Sequence, residues 1–156
     1  MRNDMIEELL RFIDIDDATK ERGPEIWRLV EPHADAIIGS FYHRVKRFDF
    51  SSEITDAAIE RLKVKQKQHW AALFASQFGV DYANSVRRVG IQHRDIALSP
   101  MWYVLGYTTQ KLAFTEVLAD ASLPPIRKGR LLKALDKYIA FDMALALSAY
   151  SAAVVD

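Results

Sequence analysis

The sequence predicts an all-α domain. Apolar residues recur at intervals of three and four along its long segments, which is the period of one helix face. No window alternates apolar and polar residues between hairpin turn residues. The 6 glycines and 5 prolines among 156 residues fall where helices would start or stop. One domain of this length buries a sizeable core without disulfide or metal staples.

Asp4 is a candidate cap for a short first helix that carries Ile6, Leu9, Leu10 and Ile13. Asp16 and Asp17 restart the chain. Gly23-Pro24 predicts a break or kink, with a short helix holding Ile26, Trp27 and Val30 after it. Pro32 then starts a helix with Ile37, Ile38, Phe41, Val45 and Phe48 on its apolar side. Asp49 to Ser52 reads as a loop, with Ser52 a candidate cap. A long helix from about Thr55 to Phe78 carries Ile59, Leu62, Gln66, Trp70, Leu73, Phe74 and Phe78, and Gly79 is expected at its C-terminal cap. Asp81 starts a helix with Tyr82, Val86, Val89 and His93 in one row. Ser99-Pro100 pairs a capping residue with a proline at the first helical position, opening a helix to about Ala121. Leu123-Pro124-Pro125 ends it. The last helix, from about Ile126, carries Leu131, Leu135, Ile139, Met143, Leu147 and Tyr150. Seven or eight helices are expected.

The 21 basic and 21 acidic residues balance. That removes any electrostatic case for nucleic acid or an anionic membrane. The absence of cysteine excludes disulfides, zinc–thiolate sites, iron–sulfur clusters, thiolate-ligated haem and covalent haem attachment. Any metal site must come from carboxylates and the 4 histidines. No stretch approaches the length of a membrane span, and residues 1–10 have no signal-peptide apolar run, so a cytoplasmic location is expected. There is no Gly-rich phosphate loop, His-Glu-x-x-His motif or nucleophile elbow.

The informative row ends in His93. Tyr82, Val86, Val89 and His93 are spaced four, three, four and share one helix face. A histidine on such a row either bonds a backbone carbonyl in the core or presents a nitrogen to a metal, its other N–H held by an acceptor. Gly90, three residues earlier, would let a flat ligand come close to the helix. Tyr42 lies on the apolar side of its helix with Ile38 and Val45, and a phenol there needs a hydrogen-bond partner. His33 and His43 read as surface residues. Arg61, Lys63, Lys65 and Lys67 spread around one helix and read as a solvated face. Trp27, Trp70 and Trp102 read most simply as core.

The stretch from His69-Trp70 through Leu73-Phe74 and Tyr82 to Val89-Gly90-Ile91-Gln92-His93 and Leu98-Ser99-Pro100-Met101-Trp102-Tyr103 resembles the globin domain of globin-coupled sensors and protoglobins. The hallmark of that family is Ile-Gly-x-x-His leading into Leu-x-Pro-x-Trp-Tyr; here Val89 stands for the isoleucine. The resemblance covers essentially the whole chain. It implies a globin-like helical sandwich around one non-covalent b-type haem, with an extra short N-terminal helix. It puts His93 at the proximal iron ligand and Tyr42, after Phe41, at the distal tyrosine that hydrogen-bonds bound oxygen. It puts Tyr103 beside the proximal histidine, Leu62 at a distal leucine, and Phe41 and Val89 against the haem. Lys65 falls where some relatives place a small hydroxyl residue facing the ligand. Its ammonium would swing to a propionate or to solvent, unless the helix turns Gln66 inward instead. His69 falls near the haem edge as a partner for a propionate; a sixth iron ligand is the alternative.

The function so implied is a gas-sensing domain that binds O2, CO or NO and relays ligation to a C-terminal output module. Residues 1–156 would then be one sensor domain, the N-terminal part of a longer signalling protein, and not themselves an enzyme, any catalytic output module lying outside them. A homodimer through the last two helices is expected, with Leu112, Phe114, Leu118, Leu135, Met143 and Leu147 divided between that face and the core. The alternatives are a stand-alone globin handling O2 or NO, and a haem-free interaction domain on the same fold.

Overall fold

The computed structural model describes residues 3–48 and 54–155, with side chains as far as Tyr150. Within them the chain forms α1 (Asn3–Phe12), α2 (Asp17–Val45), α3 (Asp56–Ala75), α4 (Val80–Asp95), α5 (Pro100–Asp120) and α6 (Pro125–Val155). The described residues contain no strand. Three helix starts follow from their capping side chains. The Asp16 carboxylate accepts from the Thr19 N–H at 2.8 Å, Thr55 Oγ1 from the Ala58 N–H at 3.1 Å, and Ser99 Oγ from the Met101 N–H at 3.2 Å. The expected loop and cap at Asp49 to Ser52 lie outside the described residues.

The main departure from expectation is α2, which runs unbroken through both Pro24 and Pro32. A proline inside a helix removes the N–H that the carbonyl four residues earlier would accept. For Pro24 that carbonyl belongs to Lys20, and the Tyr138 hydroxyl of α6 donates to it at 3.4 Å. Gly23 makes this possible. A Cβ at Gly23 would overlap both the Phe74 carbonyl oxygen and the Tyr138 hydroxyl. The Gly-Pro pair is therefore a place where two helices approach closely, not a break. Pro32 lies exposed, one turn after exposed Arg28, where water can serve a freed carbonyl. The separate pieces expected over residues 17–45 are one helix, which reduces the count to six among the described residues.

A second departure concerns Gly79. The left-handed residue between α3 and α4 is Phe78, at φ 58°, while Gly79 is extended and precedes α4. The Phe78 ring is buried against Tyr82, Tyr138 and Phe141, and its N–H donates to Ser76 Oγ at 2.8 Å. Aromatic burial and that hydrogen bond offset the cost of a left-handed backbone at a non-glycine residue.

In the packing, α4 lies along α6, α3 along α2, and α5 against both α2 and α6. The core centres on Trp70, Phe74, Phe114 and Tyr138, with Trp70 and Phe114 edge to face at 4.4 Å. Of the residues expected to divide between core and dimer face, Phe114, Leu118 and Leu135 are wholly core. Leu112 is 55% exposed, and Met143 and Leu147 are half-buried at the margin. Among the described residues no helix is long and apolar enough to cross a membrane.

Candidate functional site

A cavity of about 390 Å3 lies where α2 and α3 face α4 and α5, with α6 behind. That is within the ordinary range of small-molecule sites, about 300–1,000 Å3. Tyr42, Phe41, Leu62, Lys65, His69, Val89, His93 and Tyr103, which were singled out in the sequence, all line it. They come from four helices, so the structure brings together residues separated by as many as 62 positions.

His93 sits in the last turn of α4. Its Nδ1 lies 2.8 Å from the Val89 carbonyl oxygen. A carbonyl only accepts, so Nδ1 carries the proton and Nε2 keeps its lone pair. Burial pulls the His93 pKa below its usual value, partly offset by the Val89 bond, which keeps the ring neutral near pH 7. The Tyr103 ring of α5 packs on the imidazole at 5.3 Å. Gly90, one turn before His93, is fully buried. A Cβ there would overlap the Ala146 carbonyl of α6 and stand 2.9 Å from Ala149 Cβ. The Gly90 side of α4 is thus set against another helix, not against a ligand.

Across the cavity, Tyr42 of α2 is half-buried, its ring edge to face with Phe41 at 5.2 Å. Burial pushes its pKa up to about 12, so its hydroxyl stays a neutral donor. Among the described residues nothing is hydrogen-bonded to that hydroxyl. Leu62 lines the same side at 37% exposure. Both Lys65 and Gln66 reach the lining, so the choice between them is not exclusive; Lys65 is exposed and Gln66 half-buried. Its neighbours Lys63 and Lys67 pair with Glu60 at 3.0 Å and Asp35 at 3.2 Å, as a solvated face requires. His33 and His43 are exposed, as expected. Trp70 is core, but Trp102 is 40% exposed and lines the cavity near Phe48.

His69 has a protein partner that the sequence did not reveal. Its Nε2 lies 2.8 Å from Asp142 Oδ2. Asp142, on α6, also accepts from Tyr107 at 2.6 Å and from Tyr82 at 2.5 Å. The carboxylate is 1% exposed. Burial alone would raise its pKa, but the charge and hydrogen bond of His69 with the two phenols bring it below the ordinary carboxylate value. Burial likewise opposes charge on His69, and Asp142 outweighs it to hold the imidazole above its ordinary pKa. Burial drives the Tyr82 and Tyr107 phenols well up, and Asp142 adds to it. The available signal was spacing: Asp142 stands three after Ile139 and four before Ala146, inside the apolar stripe of α6.

Elsewhere, the described residues contain no group of three His, Asp or Glu side chains placed to hold a metal ion among themselves. The cavity therefore offers the Nε2 of His93, the Tyr42 hydroxyl facing it from α2, and largely apolar walls.

A family profile for protoglobins matches residues 2–154. The haem-based aerotactic transducer HemAT of Halobacterium salinarum is 27% identical over 114 residues, 71% of this chain and 23% of the transducer. This chain thus spans less than a quarter of that relative's length. Among solved structures, the globin domain of a globin-coupled sensor from Geobacter sulfurreducens superposes with a TM-score of 0.85 at 16% identity, over 92% of this chain and 96% of that one. The globin domain of E. coli DosC in its ferric form gives 0.76 at 16% identity, over 92% and 98%. At these identities the superpositions establish a globin fold.

Proposed function

The chain belongs to the protoglobin family, and on that premise we propose that it is a haem-based gas-sensing domain. The observation that carries the proposal is the pairing, across one cavity, of an imidazole with a free Nε2 and a phenol with no hydrogen-bond partner among the described residues. A single imidazole is an incomplete ligand set, which suits a metal that arrives with its equatorial ligands in a flat cofactor. The apolar lining from Phe41, Leu62, Val86, Val89 and Leu98 suits such a macrocycle, and no cysteine exists to attach it. The residues present fit a non-covalent haem, of b type in this proposal. When bound, it would supply iron able to take O2, CO or NO reversibly.

The remaining steps belong to the chain. The Val89 carbonyl holds the His93 tautomer and ring orientation, and Tyr103 packs beside the ring. Tyr42 donates its hydroxyl proton toward a ligand that gathers negative charge, favouring O2 over CO. Lys65 would meet a propionate, a role its exposed position at the lining supports. Relay to an output module and pairing of two copies through α5 and α6 complete the proposal; exposed Leu112 supports the pairing.

Titration of the purified, haem-free chain with haemin tests it. Uptake of one haem per chain, followed by reversible O2 and CO binding after reduction, is the expected result. Failure to take up haemin would overturn it.

A further inference from the structure

The buried carboxylate of Asp142 has no part in the proposed ligand chemistry, yet it touches every helix around the cavity except α2. Its donors come from three different helices: His69 from α3, Tyr82 from α4 and Tyr107 from α5. His69, Tyr107 and Asp142 also line the cavity themselves. Each of those helices also carries a side chain that lines the cavity from the proposed site: Leu62 on α3, His93 on α4 and Tyr103 on α5. Asp142 alone ties all three to α6.

A second contact joins the same two parts. Ala146, one turn beyond Asp142, is where α6 seats Gly90 with no room for a Cβ, and Gly90 is three residues before His93. A movement of α4 along its axis would therefore meet α6 backbone at Gly90. Beside that tight backbone contact lies the hydrogen-bonded cluster of Asp142, whose side chains can exchange partners. Among the described residues the cationic partner of Asp142 is a histidine, His69. A buried carboxylate left short of donors is costly, so loss of one bond forces the others to change.

We propose that Asp142 is a positioning residue that couples the cavity to α6: its carboxylate holds His69, Tyr82 and Tyr107 in one joint, and a change in the cavity redistributes those hydrogen bonds and is passed to α6. The proposal rests on the haem reading for what occupies the cavity, but the joint itself exists in the polypeptide.

The test compares Asp142→Asn, Tyr107→Phe and His69→Gln with Val30→Ala. Val30 is a fully buried α2 residue away from the cavity, so its variant controls for lost stability, measured by thermal melts. In the haem-loaded chain, the cluster variants are expected to change the O2 dissociation rate by about fivefold or more, the lower end of ordinary coupling between sites. They are also expected to shift the vibrational frequency of bound CO, while Val30→Ala moves neither. In the haem-free, 15N-labelled chain, His69→Gln and Tyr107→Phe are expected to shift amide signals of Ala146 to Ala149 on α6. Cluster variants that match Val30→Ala in the loaded chain, or amide shifts confined to α3 and α5, would overturn the proposal. If the wild-type chain takes up no haem, the haem reading fails, and the haem-free arm alone decides the joint. Should Asp142→Asn fail to fold, the two milder variants carry both arms.

Discussion

Tyr42 and His93 were each visible as a polar group on an apolar helix face, and each now has a measurable consequence. Tyr42→Phe removes one hydrogen bond of about 1 kcal/mol or somewhat more, so O2 dissociation should accelerate by about tenfold and CO dissociation much less. Stopped-flow ligand replacement checks this; equal effects on both gases would contradict it. His69 and Asp142 give a pH dependence with a definite sign. His69 is held above its ordinary value near 6.5, so its contribution to stability is complete below that pH and fades as pH rises through the folded value. Asp142 lies below its ordinary value near 3.8, so its contribution is present above that pH and lost on further acidification. The pair therefore stabilises the chain most between those limits. The advantage of wild type over His69→Ala in urea melts should shrink from pH 6 to pH 9. The Asp142 partnership was not legible because a strict count of four along α6, Leu135 to Ile139 to Met143 to Leu147, drifts about 40° per step around a helix of 3.6 residues per turn. The buried line instead runs through Tyr138, Asp142, Ala146 and Ala149. A lone aspartate also gives no hint that three donors await it on other helices.

At the level of the elements, helix type and most starts were legible because Asp16, Thr55 and Ser99 cap as their chemistry dictates. What misled was punctuation. Gly23-Pro24 has the local signature of a break, and only tertiary contact shows that Tyr138 serves the carbonyl freed by Pro24. Tyr138→Phe should therefore cost about 1 kcal/mol, read as a lower urea midpoint with unchanged slope. Gly90 was read as room for a ligand, but it is room for α6. In an open helix, glycine to alanine gains about 1 kcal/mol. Here Gly90→Ala places a methyl against the Ala146 carbonyl, and overpacking of about 1–3 kcal/mol or more should win, making the variant less stable by denaturant titration. A more stable Gly90→Ala would contradict the close α4–α6 contact.

Over the whole molecule, four of the six described helices place residues 62 positions apart around one cavity, and the resemblance carried by the long motif ending in Trp102-Tyr103 had named residues from all four. The joint beneath the cavity was not legible, because it exists only where α3, α4, α5 and α6 meet. In the proposed function His93 is the protein's ligand to haem iron. That role is tested most directly by the reduced-state absorption spectrum of His93→Gly, recorded with and without added imidazole. The variant is expected to lose the wild-type spectrum and to regain it, together with the shift on CO, when imidazole fills the vacated space. A variant whose spectrum matches wild type without imidazole would contradict that role.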